Sequence, residues 1–221
     1  MTESIIITAG GIGKRMGTKI PKQFIEIDGL PILMYTINKF YLYNTSIEII
    51  VVLPAAHIEY WQQLIEKHNF KIVHTIVEGG KERFYSIKNG LKHVTGEIIG
   101  IHDGVRPFVS NEVIKNLFET AKLKKAVIPV IDIKESIREL HDEDSIAVDR
   151  SNYKIVQTPQ CFTKAIIQNA YLQDFSPKFT DDASVVESTG QSITLIKGND
   201  ENIKLTTPLD LKLAEILIGR N

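Results

Sequence analysis

The sequence predicts an α/β protein built on one open, mainly parallel sheet, and three features carry that expectation. Six short runs are almost continuous in Ile and Val, as strands buried on both faces require. Amphipathic helical stretches separate them, so strand and helix alternate along the chain. The first run leads directly into a glycine cluster, Gly10-Gly11-Ile12-Gly13, where such a sheet can turn from strand to ligand-facing loop.

The strand candidates are Ile5–Ala9, Glu48–Leu53, Lys71–Val77, Ile98–His102, Ala126–Ile131 and Ser192–Ile196. Helices are expected over Pro31–Tyr43, His57–His68, Glu82–Val94, Asn111–Leu123, Lys164–Leu172 and about Pro208–Ile218. Pro31 suits a first helical position. Ser110 can cap the helix that begins at Asn111. Thr207 followed by Pro208 reads as a cap with an N1 proline, and Gly219 as a stop. Between Asp132 and Gln157 the rhythm breaks into polar sequence with short extended pieces, Ser136–Leu140 and Ile146–Val148. That excursion is too long for an ordinary connection. It reads either as a mobile surface insertion or as a protruding β-arm that packs on a second subunit. The expected organisation is a single domain over residues 1–221 with an arm at about 132–157.

Composition narrows the function classes. The 221 residues carry 26 Lys plus Arg against 27 Asp plus Glu, a net charge of −1. That balance argues against nucleic-acid binding and against a polybasic membrane binder. No run approaches the roughly 18 apolar residues that span a bilayer, and Met1-Thr2-Glu3-Ser4 lacks the basic start of a signal peptide. The single cysteine, Cys161, allows neither an intrachain disulfide nor a cysteine-based zinc site. The expected setting is cytoplasmic, with no nucleic acid or membrane partner.

The glycine cluster continues into Lys14-Arg15-Met16-Gly17, and Pro21-Lys22-Gln23-Phe24 follows. Consecutive backbone N–H groups at such a turn can face an anion. A dinucleotide fingerprint starting at Gly11 fails at Met16. A Walker A box ending at Gly13-Lys14 fails at Thr8 and Arg15. On spacing alone Lys14, Arg15 and Lys22 fit a triphosphate and a solvated loop equally. A nicotinamide oxidoreductase is further disfavoured because the second strand ends Leu53-Pro54, without an acidic residue for a ribose. A nucleotide-binding module without catalysis is the remaining rival class.

Further motifs follow in order: Gly79-Gly80-Lys81-Glu82-Arg83-Phe84-Tyr85-Ser86, His102-Asp103-Gly104-Val105-Arg106-Pro107, Val148-Asp149-Arg150, Gln157-Thr158-Pro159-Gln160, Thr180-Asp181-Asp182-Ala183-Ser184 and Asn202-Ile203-Lys204-Leu205-Thr206-Thr207-Pro208. With the glycine loop and Pro21-Lys22-Gln23-Phe24, this series resembles the polyol-phosphate cytidylyltransferase family from about residue 4 to 218. Glu82-Arg83 with Ser86, Val148-Asp149-Arg150 and Thr180–Ser184 look more like its 2-C-methyl-D-erythritol 4-phosphate branch than its ribitol-5-phosphate branch. The resemblance implies a Rossmann-like sheet of the nucleotide-diphospho-sugar transferase type. It also implies CTP and a polyol phosphate as substrates, Mg²⁺ or another divalent cation, and a homodimer whose arms cover each other's sites.

The attacking group would be a phosphomonoester, whose second pKa is about 6. It is largely dianionic at neutral pH and needs no general base, so the site should be rich in cations. The resemblance makes Arg15, Lys22 and Lys204 the catalytic cations. It places the nucleotide against Ala9, Gly10, Gly11, Gly13, Gly80, Lys81 and Ser86. Asp103, Gly104, Arg106, Ser136, Arg150, Thr158 and Thr180 fall on the substrate side, with Asp103 also the candidate metal ligand. Position 81 is acidic in many relatives, so Lys81 departs from the pattern. Asp181 and Asp182 fit helix capping as well as ligand contact. His102 reads as a strand-end packing residue, and no histidine is expected in the chemistry.

Overall fold

The computed structural model describes residues 1–11 and 20–219. Twelve strands are described: β1 (Glu3–Thr8), β2 (Glu26–Ile27), β3 (Leu30–Pro31), β4 (Glu48–Leu53), β5 (Thr75–Glu78), β6 (Ile98–Asp103), β7 (Ala126–Asp132), β8 (Ile137–His141), β9 (Asp144–Val148), β10 (Lys154–Val156), β11 (Gln160–Thr163) and β12 (Thr194–Lys197). The helices are α1 (Ile32–Tyr43), α2 (Ala55–Lys67), α3 (Arg83–Gly90), α4 (Asn111–Lys124), α5 (Lys164–Ala170), α6 (Asp182–Glu187) and α7 (Pro208–Ile218).

Parallel strands β5, β4, β1 and β6 form one half of the main sheet. Ile5 and Ile7 pack with Leu33, Phe40 and Phe118 on one face. Ile6 packs with Val52, Ile87 and Ile99 on the other. Alternation of side chains thus buries both faces, which is why these strands read as unbroken Ile and Val. A third cluster, with Ile27, Val105, Leu205 and Ala214, seats α7.

The far half departs from the parallel pattern. Strand β11 lies between β6 and β7 and runs antiparallel to both. It continues β10 along the same edge of β7, with a two-residue shift of register across Gln157-Thr158-Pro159. The sequence reading omitted β11, because four residues show no usable period. β12 pairs parallel to β7. β5 is shorter than expected, and Pro31 precedes α1 instead of opening it, because its backbone pairs with Glu26. Helix ends match their capping signals. Ser110 Oγ accepts from Val113 N–H at 3.1 Å, and Thr207 and Asp210 form a capping box.

The excursion after β7 contains a two-stranded ribbon, β8–β9, that among the described residues pairs only with itself. Leu140 and Ile146 on it are exposed by 79% and 51%. Tyr153, Ile155 and Val156, just beyond it, are also exposed. No described helix is long and apolar enough to cross a membrane.

Candidate active site

The carboxyl ends of β1, β4 and β6 open onto a cavity of about 300 Å³. Its walls include Ala9, Gly10, Gly11 and Lys22 on one side, Gly79 to Arg83 and Ser86 on another, and Asp103 with Lys204 below. Ligands in open α/β sheets bind at this end.

Lys22 belongs to a single 3₁₀ turn, Lys22–Phe24. Phe24 anchors that turn by stacking on Trp61 and meeting Tyr60 and His57 edge-on. Buried Gln23 donates from Nε2 to the Ala9 carbonyl at 2.7 Å, tying the lysine to the end of β1. The Lys22 stem lies over Gly11, where an added Cβ would sit 3.0 Å from its Cε. Glycine at 11 therefore lets this stem lie against the backbone.

The opposite wall is set by Ser86. Its Oγ accepts from Gly80 N–H at 3.1 Å and donates to the Glu82 carbonyl at 3.1 Å. A Cβ at Gly80 would lie 2.3 Å from Tyr85 Cβ, so only glycine fits the turn. Lys81 is exposed and its ammonium lies over the Tyr85 ring, 5.3 Å from the centroid.

Asp103 ends β6 and is the electrostatic centre. Its Oδ2 accepts from Arg106 Nε at 3.0 Å and pairs with Lys204 Nζ at 3.1 Å. Burial alone would raise its pKa. Lys204, Arg83 and Arg106 outweigh that and hold the carboxyl well below the usual range. Gly104 is tightly enclosed: an added Cβ would meet Ala9 Cβ at 3.0 Å and Leu33 Cδ1 at 3.1 Å. Arg106 Nη1 donates to the Asn202 carbonyl at 2.8 Å, so this guanidinium braces the loop that carries Lys204.

The structure thus gathers Ala9, Gly10, Gly11, Lys22, Gly80, Lys81, Ser86, Asp103 and Lys204 around one cavity. Arg15 and Gly13 lie outside the described residues. The Thr158 hydroxyl is engaged with His102 and Asp103 beneath the site. Ser136, Arg150 and Thr180 are exposed and do not line this cavity among the described residues. Arg150 donates to the Lys134 carbonyl within the arm.

The sequence reading assigned no role to Arg83, which binds buried Asp182 in bidentate fashion at 2.9 and 2.6 Å. Tyr171 OH adds a bond of 2.6 Å to the same carboxylate. An arginine inside a motif and an acid pair at a helix start were the available signals. Asp181 is the N-cap of α6, in a capping box with Ser184, as its position at a helix start allowed.

Burial holds His102 neutral and pushes its pKa down to about 4 from 6.5. The unfolded chain therefore binds a proton that the folded chain refuses between those values. Stability present above about pH 6.5 is lost as pH falls through that window, by up to about 3 kcal/mol. Urea unfolding at pH 7 and pH 4.5 should show a larger loss for wild type than for His102→Gln. Equal losses would remove His102 as the source.

Among the described residues no three His, Cys, Asp or Glu side chains group to hold a metal. The single carboxylate of Asp103 fits Mg²⁺, which usually keeps waters and is shared between one or two carboxylates and substrate phosphates.

A strand-end cavity with a glycine loop, two converging lysines and a buried carboxylate defines a nucleotidyltransferase of the Rossmann-like α/β class. The family model for 2-C-methyl-D-erythritol 4-phosphate cytidylyltransferase matches residues 4–220, and the chain belongs to that family. Proteins of that name from Phocaeicola vulgatus and Bacteroides fragilis are 53% and 51% identical, each over 99% of this chain and all of theirs. The crystal structure of 4-diphosphocytidyl-2C-methyl-D-erythritol synthase from Anaerococcus prevotii superposes with a TM-score of 0.83 at 29% identity, covering 99% of this chain and 96% of its own. The cytidylyltransferase from Thermus thermophilus gives 0.80 at 27%, covering 98% of each chain.

Proposed function

We propose that this chain transfers the cytidylyl group of CTP to 2-C-methyl-D-erythritol 4-phosphate, giving 4-CDP-2-C-methyl-D-erythritol and pyrophosphate. The observation that carries this reading is the convergence of Lys22, Lys204 and Asp103 on one cavity beside the glycine turn. Such a site suits two anions meeting. A substrate phosphate oxygen attacks the α-phosphorus, its new P–O bond forms, and the bond to the pyrophosphate oxygen breaks. The nucleophile arrives already deprotonated, so the protein need only gather and spread charge.

Lys22, with Arg15 from the loop, holds the α- and leaving phosphates. Lys204 approaches the α-phosphate from the Asp103 side. The turn held by Ser86, with Gly80, Lys81, Ala9 and Gly10, forms the wall for the cytosine. Gly11 and Gly13 are assigned to nucleotide binding. Asp103 would hold Mg²⁺ through its carboxylate, and that ion would offset charge on the triphosphate. Arg106 and Gly104 shape the substrate side, and Thr158 supports it from below. Ser136 and Arg150, both on the arm, would reach substrate from a second subunit, and Thr180 would line the polyol pocket. The absence of Arg150 from the described cavity lining and the exposed apolar side chains of the arm support a homodimer with arm exchange. The reading is of one catalytic domain with that arm, in the cytoplasm.

Pyrophosphate release from CTP should be fastest with 2-C-methyl-D-erythritol 4-phosphate when ribitol 5-phosphate and sugar 1-phosphates are assayed beside it. The rate should climb as the acceptor phosphate loses its second proton, at about pH 6. Preference for ribitol 5-phosphate would move the chain's substrate to the other branch. CTP binding without turnover of any acceptor would favour a binding module.

A further inference from the structure

His102 is fully buried beneath the cavity, with its ring edge-on to Phe40 at 4.9 Å between centroids. It makes two directed hydrogen bonds, and the chemistry of its partners fixes their sense. The Arg106 carbonyl, 3.0 Å from Nε2, can only accept, so Nε2 carries the proton. In a neutral imidazole Nδ1 is then an acceptor. The Thr158 hydroxyl, 3.0 Å from Nδ1, donates to it while accepting from Asp103 N–H at 3.1 Å.

These bonds belong to a closed circuit. His102 Nε2–H binds the Arg106 carbonyl, and Arg106 Nη1–H binds the Asn202 carbonyl at 2.8 Å. Asn202 Nδ2–H binds the Thr158 carbonyl at 2.8 Å, and the Thr158 hydroxyl returns to His102. The circuit joins β6, the turn after it, the segment between β10 and β11, and the loop that carries Lys204. Asp103 and Lys204 at the floor of the cavity, and Arg106 bonded to Asp103, are all attached to it: Asp103 through its backbone, Arg106 as a member, and Lys204 two residues beyond Asn202.

We propose that His102 is a positioning residue for cytidylyl transfer, which through this circuit sets Asp103, Arg106 and the Lys204 loop relative to one another. The inference rests on the proposed roles of Lys204 and Asp103. His102 touches no substrate; it acts by removing freedom from three segments that share no secondary structure. A misplacement of about 1 Å at a reacting group can cost about 10²-fold in rate.

Two measurements test it. The first needs only wild-type protein: ¹⁵N-resolved imidazole spectra at pH 7 should show His102 neutral and protonated on Nε2. An Nδ1–H tautomer or an imidazolium would overturn the proposal. The second is a double-mutant cycle on kcat. His102→Gln can keep a donor near the Arg106 carbonyl but loses the acceptor for Thr158; Thr158→Val loses the same bond from the other side. Each should lower kcat about 10- to 100-fold and move the KM for CTP by less than about threefold, because the Ser86 wall is outside the circuit. Thr158→Val also deprives Asp103 N–H of its acceptor and should be the slower single, and the double variant should be no slower than it, since the bond between the two side chains is lost in both. His102→Leu, which loses both bonds, should be slower than His102→Gln. Independent, multiplying effects, or kcat within about twofold of wild type for both singles, would overturn the role. Wild-type protein inert toward 2-C-methyl-D-erythritol 4-phosphate would instead sink the substrate assignment, and the spectra would still decide the circuit.

Discussion

Lys204→Ala is expected to lower kcat by about 10²–10³-fold, the range for loss of one preorganised charge that acts on a developing transition state. The structure sharpens the expectation in two ways. Lys204 Nζ already stands 3.1 Å from Asp103 Oδ2 at the cavity floor, so the ammonium is held where charge must be met. Its side chain is also 44% exposed against 11% for Asp103, so solvent screens the pair from the lysine side. Asp103 keeps Arg106 as a partner in the variant. The loss should therefore appear in turnover with little change in thermal midpoint. Lys22→Ala should behave alike, because Gln23 and Phe24 anchor the turn. Steady-state pyrophosphate release together with thermal unfolding measures both effects. Turnover within about threefold of wild type for either variant would remove that lysine from the mechanism.

The parts of this molecule that sequence revealed are those whose physics is local or whose chemistry is scarce. Strands β1, β4 and β6 announced themselves because both faces are buried and every position favours Ile or Val. Ser110 and Thr207 marked helix starts because a capping oxygen bonds only a few residues away. Lys22, Asp103 and Lys204 stood out as ionic groups in motif order, yet their meeting at one cavity is a product of the sheet topology. β11 was invisible because its four residues take strand form only when inserted between β6 and β7. The connecting residues were hidden for the same reason. Gln23, Thr158 and Asn202 are ordinary neutral polar residues by type, and what they join lies 14 to 56 residues away in sequence. His102 is the instructive case. It does pack, against Phe40, as expected of a strand-end residue. Its hydrogen bonds depend on Thr158, 56 residues further on, and no local pattern encodes them.

Mixing two inactive variants, Arg150→Ala and Lys204→Ala, is expected to restore up to roughly a quarter of wild-type activity once subunits exchange. Arg150 is exposed and donates to Lys134 within its own arm, whereas the described cavity residues of the same chain include neither Arg150 nor Ser136. Among the described residues the β8–β9 ribbon pairs only with itself, and it presents Leu140 and Ile146 to solvent, as a surface made for another subunit would. In a two-fold dimer with exchanged arms, each site takes its Lys204 from one chain and its Arg150 from the other. Homodimers of either variant lack one of these at both sites. In a mixed dimer, the Arg150→Ala chain supplies an intact Lys204 and receives an intact arm, so one site is whole. The other site carries both lesions. Random pairing makes about half the dimers mixed, each with one working site of two, which sets the ceiling at about a quarter. Verified exchange, by native mass spectrometry of differently tagged chains, must accompany the assay. If exchange is complete and activity stays at the level of the separate variants, Arg150 serves its own subunit or none, and the arm has some other purpose than completing a neighbouring site.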